Sequence, residues 1–143
     1  MIKEAWAWRG KIRVIATFAD GSTQTDEFDN LITQYGKDVL RSTLLGLPVD
    51  GELKYVALGA GSTAPAYEDV SLEDERFRKS VTKKETISGN VITTVYISPT
   101  EANDFEIQEL GWFDDTGMIA RALYARQKTS LESLQIERSD IVG

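Results

Sequence analysis

The sequence predicts a mainly β protein: an antiparallel β-sandwich or barrel with one packed α-helix at about residues 34–46. Three observations carry this. Every even position from 6 to 18 is apolar or glycine, while the odd ones include Arg9, Lys11, Arg13 and Thr17, which is the period of two of a half-buried strand. In the second half of the chain, runs of strand character alternate with turn formers at Ser88-Gly89-Asn90, Pro99 and Asp114-Asp115-Thr116-Gly117. Only one segment has a strong helical period.

The elements follow in order. The first strand turns back at Asp20-Gly21, and STQTDEF, polar apart from Phe28, reads as a solvent-facing edge strand. Thr33 is placed to cap a helix in which Tyr35, Val39, Leu40, Thr43, Leu44 and Leu47 share one stripe, with Gly46 and Pro48 as stop signals. ELKYVALG is the next strand, and a loop runs from Gly59 to about Glu75. RFRKSVTKKETI, VITTVYIS, FEIQELGWF and MIARALYA are the strands beyond it. Residues 56–58 and 91–97 are apolar on both faces, so a second sheet or a neighbouring subunit must cover them. The nearest thing to a linker is residues 127–133. The chain therefore reads as one β-rich domain over 1–143, with 127–143 either a final strand or an extended arm.

Composition bounds the function. The chain has 143 residues, 41% of them hydrophobic and 27% charged, enough for a folded core that buries about 70% of the unfolded surface. A net charge of −7 opposes gripping phosphates, so nucleic acid is not an expected partner. No apolar run suits a secretion signal or a membrane span, so synthesis in the cytoplasm without a signal peptide and no membrane partner are expected. With no cysteine and no histidine, thiol nucleophiles, Ser-His-Asp triads and Cys/His zinc sites are excluded. The expectation is a protein that is not an enzyme and holds no cofactor or metal.

One motif argues otherwise. YVALGAGSTAP contains G-x-G-x-x-A at Gly59, Gly61 and Ala64, the spacing of a dinucleotide-binding turn. Such a turn must open a helix, and Pro65 pushes Ala64 out of the helical region. The glycines are read instead as a sharp exit from a buried strand into a surface loop.

The order of NLIT (30–33), YVALGAGSTAP (55–65), FRK (77–79), SGN (88–90), EAN (101–103), ELGWFD (109–114) and IARAL (119–123) resembles a family of small structural proteins of tailed bacteriophages, from about residue 14 to 124. Members are described as tail-fibre-associated or simply as virion proteins, and comparable small β-rich proteins decorate capsids as trimers. The resemblance implies a virion subunit whose partners are copies of itself, as a trimer, and other virion proteins such as the major capsid protein or tail and baseplate subunits. It carries over no catalytic residue. ESLQIERSDIVG departs from it, being more polar than the alternating last strand of the family.

Candidate interface residues are Trp6 and Trp8, on one face of the first strand and serving either core or partner, and the basic cluster Arg76, Arg78, Lys79, Lys83 and Lys84. On one strand the alternate members of that cluster would line a face, either solvated or docked on an acidic neighbour. Asp26, Glu27 and Asp29, or Asp114 and Asp115, would offer oxygens to a hard cation or merely flank turns. The alternative function is a host-glycan-binding module at a tail tip, using exposed Trp112, Tyr67 or Tyr96.

Overall fold

The structure, a computed structural model, describes residues 8–142, in which two five-stranded antiparallel sheets pack face to face. In chain order the elements are β1 (Trp8–Phe18), β2 (Thr23–Asp29), β3 (Leu31–Ile32), α1 (Gln34–Leu44), β4 (Tyr55–Gly59), β5 (Glu75–Ser80), β6 (Lys83–Ile87), β7 (Asn90–Ile97), β8 (Ile107–Phe113), β9 (Met118–Arg126) and β10 (Glu132–Val142). One sheet has the order β2-β1-β10-β7-β6 and the other β3-β9-β8-β4-β5. The predicted sandwich is thus the observed architecture.

The core lies where the alternation points. Ile12, Val14 and Ala16 of β1 meet Val95 and Ile97 of β7 and Leu134 and Ile136 of β10 on one side, and Val56, Leu58, Leu110 and Trp112 on the other. Gly10 continues the inward face because a Cβ there would lie 2.3 Å from the amide of Asn30. The polar strand β2 sits at a sheet edge, as read, and its Phe28 stacks on Tyr124 with ring centroids 5.0 Å apart. The β6–β7 hairpin turns through Ser88 and Gly89, both at positive φ, the two-residue turn that suits the right-handed strand twist.

Two elements differ from expectation, and a third is one that the sequence leaves open between strand and arm. RFRKSVTKKETI is two strands, because the chain changes sheet at Val81 and Thr82, whose N–H groups donate to Lys54 O and Thr94 O respectively. The basic cluster is therefore divided between the sheets and lines no single strand face. ESLQIERSDIV forms β10, an interior strand paired with β1 over eleven residues and with β7 over seven. The polarity that obscured it has a local cause: Arg138 and Asp140 point inward and bond each other (Nη2 to Oδ1, 2.8 Å), with the guanidinium 5.5 Å from the Trp112 ring centroid. Lastly, the apolar stripe of α1 is not covered along its length. Gly36 is its buried residue, pressed against Ile119, while Leu40, Leu44 and Leu47 are exposed.

Strand β4 is covered on both faces by this chain itself. Val56 and Leu58 face the other sheet, and Ala57 faces the loop between β4 and β5, where it packs with Leu72, Phe113 and Met118. Burial on both sides explains why β4 reads as a continuous apolar run.

Candidate docking surface

Residues tied to the outer side of this sheet include α1, residues 45–54, the 114–117 turn and the 60–74 loop. Thr33 starts α1. Its hydroxyl accepts from Gly36 N (3.1 Å) and donates to Met118 O (2.6 Å), which caps the helix and fixes it to β9 in one group. Asp114 ties the other corner. Its carboxylate accepts from Thr116 N, Gly117 N, Gly51 N and the Tyr35 hydroxyl at 2.6–2.9 Å. Burial opposes the charge on Asp114, but these donors outweigh it and hold its carboxyl below the ordinary value.

The glycine motif finds its explanation here. Glu109, wholly buried on β8, turns its carboxylate into the loop and accepts from Gly61 N (2.8 Å), Asp74 N (2.8 Å), Glu73 N (2.9 Å) and Arg121 Nε (3.0 Å). Glu73 closes a second ring by accepting from Ser62 N and Thr63 N and from the Thr63 hydroxyl, whose bond is the main cause holding its carboxyl below the ordinary value. A Cβ on Gly59 would sit 2.5 Å from Asp74 O, and one on Gly61 would sit 2.5 Å from Glu109 Oε2. The two glycines therefore admit an internal carboxylate to a nest of amides, the same physics that elsewhere holds a phosphate. Glu109 and Arg121 were not among the sequence candidates. The available signal was an acid and a base within strands otherwise apolar on both faces.

The predicted candidates scatter. Trp6 lies outside the described residues. Trp8 is half-buried at the sandwich end, packs on the core and donates from Nε1 to Asp140 (2.9 Å). Each member of the basic cluster has its own acid: Arg76 with Asp74, Arg78 with Glu75, Lys79 with Glu101, Lys83 with Glu85 and Lys84 with Glu52. Asp26 accepts from Tyr124 (3.0 Å), Glu27 pairs with Lys11 and Asp115 with Lys54, and among the described residues no group of three or more carboxylates gathers as a cation site. Trp112, read as an exposed sugar platform, is wholly buried; Tyr67 and Tyr96 are partly exposed, each with a lysine over its ring.

What the end of α1 presents outward is apolar. Leu40, Leu44, Leu45, Leu47 and Val49, in the last turns of α1 and just after it, are all exposed, Leu44 by 79% and Leu45 by 75%. Scattered surface leucines are ordinary, but five large apolar side chains within ten residues form a patch that water contacts unfavourably.

Two tyrosines give the fold a titratable signature. Burial, then the bond to Asp114, pushes Tyr35 up to about 12, and burial, with Asp26 as the hydrogen-bond acceptor, pushes Tyr124 to about 12. A folded value above the ordinary 10 means that the neutral hydroxyl is favoured by folding. Its stabilising contribution is complete below pH 10 and is lost as pH rises from 10 towards 12. Tyrosinate absorbance should show a late component with a midpoint near 12 that disappears in a Tyr35→Phe/Tyr124→Phe variant, and urea midpoints should fall across the same window.

Residues 25–138 match the family described as phage tail-collar fibre protein, N-terminal. No curated protein and no solved structure matches the chain. Among the described residues no helix is long and apolar enough to cross a membrane.

Proposed function

This chain belongs to the phage tail-collar fibre protein family, a structural component of the tail of the virion, and from that premise we propose that it is a non-catalytic assembly subunit that joins tail or baseplate neighbours through the exposed end of α1. One observation carries the proposal: the exposed apolar side chains of Leu40 and Leu44 on α1, and of Leu45, Leu47 and Val49 just beyond it, at the end of an element whose other end is locked to the sheet. A locked helix loses little further freedom on docking, so burying its leucines contributes directly to association. The family match supports a tail position over capsid decoration. Burial of Trp112 removes one aromatic from the glycan-reading alternative. The proposal includes self-association as a trimer, which would cover a stripe that one copy leaves open.

The test is a Leu44→Asp/Leu47→Asp variant. Because both side chains are exposed in the single chain, its unfolding midpoint should stay within the range of ordinary surface changes, about 0.5 kcal/mol. Light scattering should show the mass of the wild-type oligomer falling to that of one chain, and incorporation into tails should be lost. Unchanged mass together with unchanged incorporation would remove α1 from the assembly.

A further inference from the structure

We propose that the cleft between the start of β1 and α1 binds an acidic peptide segment of a neighbouring tail protein; this rests on the assembly reading above but concerns a different surface. The cleft holds about 300 Å³ and is lined by Trp8, Arg9, Gly10, Asp29, Asn30 and Lys37 among others. Its two cations are what distinguish it. The chain has 23 acidic residues against 16 basic ones, and its described arginines and lysines are otherwise engaged. Lys11, Arg13, Arg41, Lys54, the five members of the basic cluster, Arg121, Arg126 and Arg138 each have a carboxylate partner, and Lys128 is held by three oxygens. Arg9 and Lys37 alone among the described cations have no ion pair or side-chain hydrogen bond with another described residue, and both line this cleft; Lys37 rests over the Tyr67 ring at 5.2 Å. In an acidic chain with carboxylates to spare, two cations at one cleft with no partner among the described residues mark it as the place where a carboxylate from elsewhere is complementary.

The rest of the lining is prebuilt. With its nitrogen facing Gly10 and its oxygen facing Arg138, the Asn30 amide donates to Gly10 O (2.6 Å) and accepts from Arg138 Nη1 (2.7 Å). Trp8 is held by its bond to Asp140. The wall and floor of the cleft are thus fixed by the buried Arg138–Asp140 pair and need little rearrangement to receive a ligand. Asp29 pairs with neither cation, which leaves an acceptor for the backbone N–H groups of an extended chain lying across the cleft. Carboxylates for Arg9 and Lys37, amides for Asp29 and an apolar side chain against Trp8 together describe an acidic peptide.

The experiment titrates the intact protein with a labelled peptide, acetyl-Glu-Glu-Leu-Glu-Glu-amide, followed by fluorescence anisotropy at low and at raised salt. Saturable binding is expected, weakened by salt and about tenfold or more weaker in Arg9→Glu/Lys37→Glu, whose unfolding midpoint should match wild type because both side chains are exposed. A Lys83→Glu/Lys84→Glu variant, which changes the same charge on a surface already paired, should bind as wild type does. Absence of saturable binding overturns the proposal, as does equal weakening in the two variants, which would mean attraction to charge in general. A glucuronate oligosaccharide that binds where the peptide does not would also overturn it, in favour of an acidic glycan. If the peptide fails to bind while the Leu44→Asp/Leu47→Asp variant still loses incorporation into tails, the cleft assignment falls alone. If peptide binding succeeds and incorporation is indifferent to both leucines, the helix reading falls and the cleft stands.

Discussion

Glu109→Ala should destabilise the protein by about 3–5 kcal/mol, the usual cost of removing one partner from a buried ion pair. The side chain is wholly buried and satisfies three loop amides together with Arg121 Nε. Without it the amides of Gly61, Glu73 and Asp74 lose their acceptor, and the Arg121 guanidinium, 3% exposed, keeps only Asp69 at 3.3 Å. For a chain of this size the melting temperature should fall by about 10 °C or more. Hydrogen exchange at those three amides should accelerate beyond the global effect, since the loop they pin is the element set free. Glu109→Gln, which keeps the shape but turns two donors towards donors, should lie between wild type and alanine. A loss under about 1 kcal/mol with unchanged exchange in residues 60–74 would show that the loop is held by Leu72 and its packing instead of by the carboxylate.

The same residue shows where sequence reasoning stopped. Periodicity found β1, because each inward side chain from Ile12 to Ala16 is apolar, and turn chemistry found the β6–β7 hairpin, because Gly89 takes its positive φ without strain between two strand-like runs. Those signals are local. The boundary between β5 and β6 has none: Val81 and Thr82 are good strand residues, and the change of sheet is visible only in hydrogen bonds to Lys54 and Thr94, distant in sequence. The cover on β4 was equally hidden. Its two apolar faces called for a second sheet or a subunit, yet on the outer one Leu72, an isolated leucine in an acidic loop, supplies the cover once Glu109 draws that loop down.

The docking surface divides along the same line. The helical stripe was legible, and its burial was not, because the period of 3.6 says which residues share a face and nothing about how far the neighbouring sheet extends beneath them. Gly36 and Tyr35 meet β9 and the 114–117 turn, whereas Leu44 and Leu47 are left exposed. The basic cluster was legible as composition, but five intramolecular carboxylates neutralise it, one of them from as far along the chain as Glu52. Conversely, Arg9 looked like any outward residue of a long strand, and only the placement of α1 brings Lys37 to the same cleft.

The second large effect is expected at the Arg138–Asp140 pair, where single and double substitutions should diverge. Both residues lie on the inward face of β10, Arg138 wholly buried and Asp140 at 9% exposure, and Asp140 also accepts from Trp8. Arg138→Ala leaves a nearly buried carboxylate with the indole as its remaining side-chain donor, and Asp140→Ala leaves a buried guanidinium beside Trp112; each should cost about 3–5 kcal/mol. Replacing both, as Arg138→Met/Asp140→Ala, removes the charges together and fills part of the volume over Trp112, so its urea midpoint should lie closer to wild type than either single variant, with a coupling of about 2 kcal/mol or more. Additive losses would mean that the two side chains act separately, Arg138 through its contact with Trp112 and Asp140 through Trp8. A pair that apolar residues replace with little loss is there for something other than stability, and register is the candidate the geometry supplies. A slip of one residue along β1 would turn Leu134 and Ile136 to solvent and bring Gln135 and Glu137 into the core, and it would carry Arg138 away from Asn30 and Trp112 at the same time. The double variant should therefore keep most of its stability while amide exchange along β1 and β10 becomes less uniform, the mark of a strand whose pairing is held by apolar side chains alone.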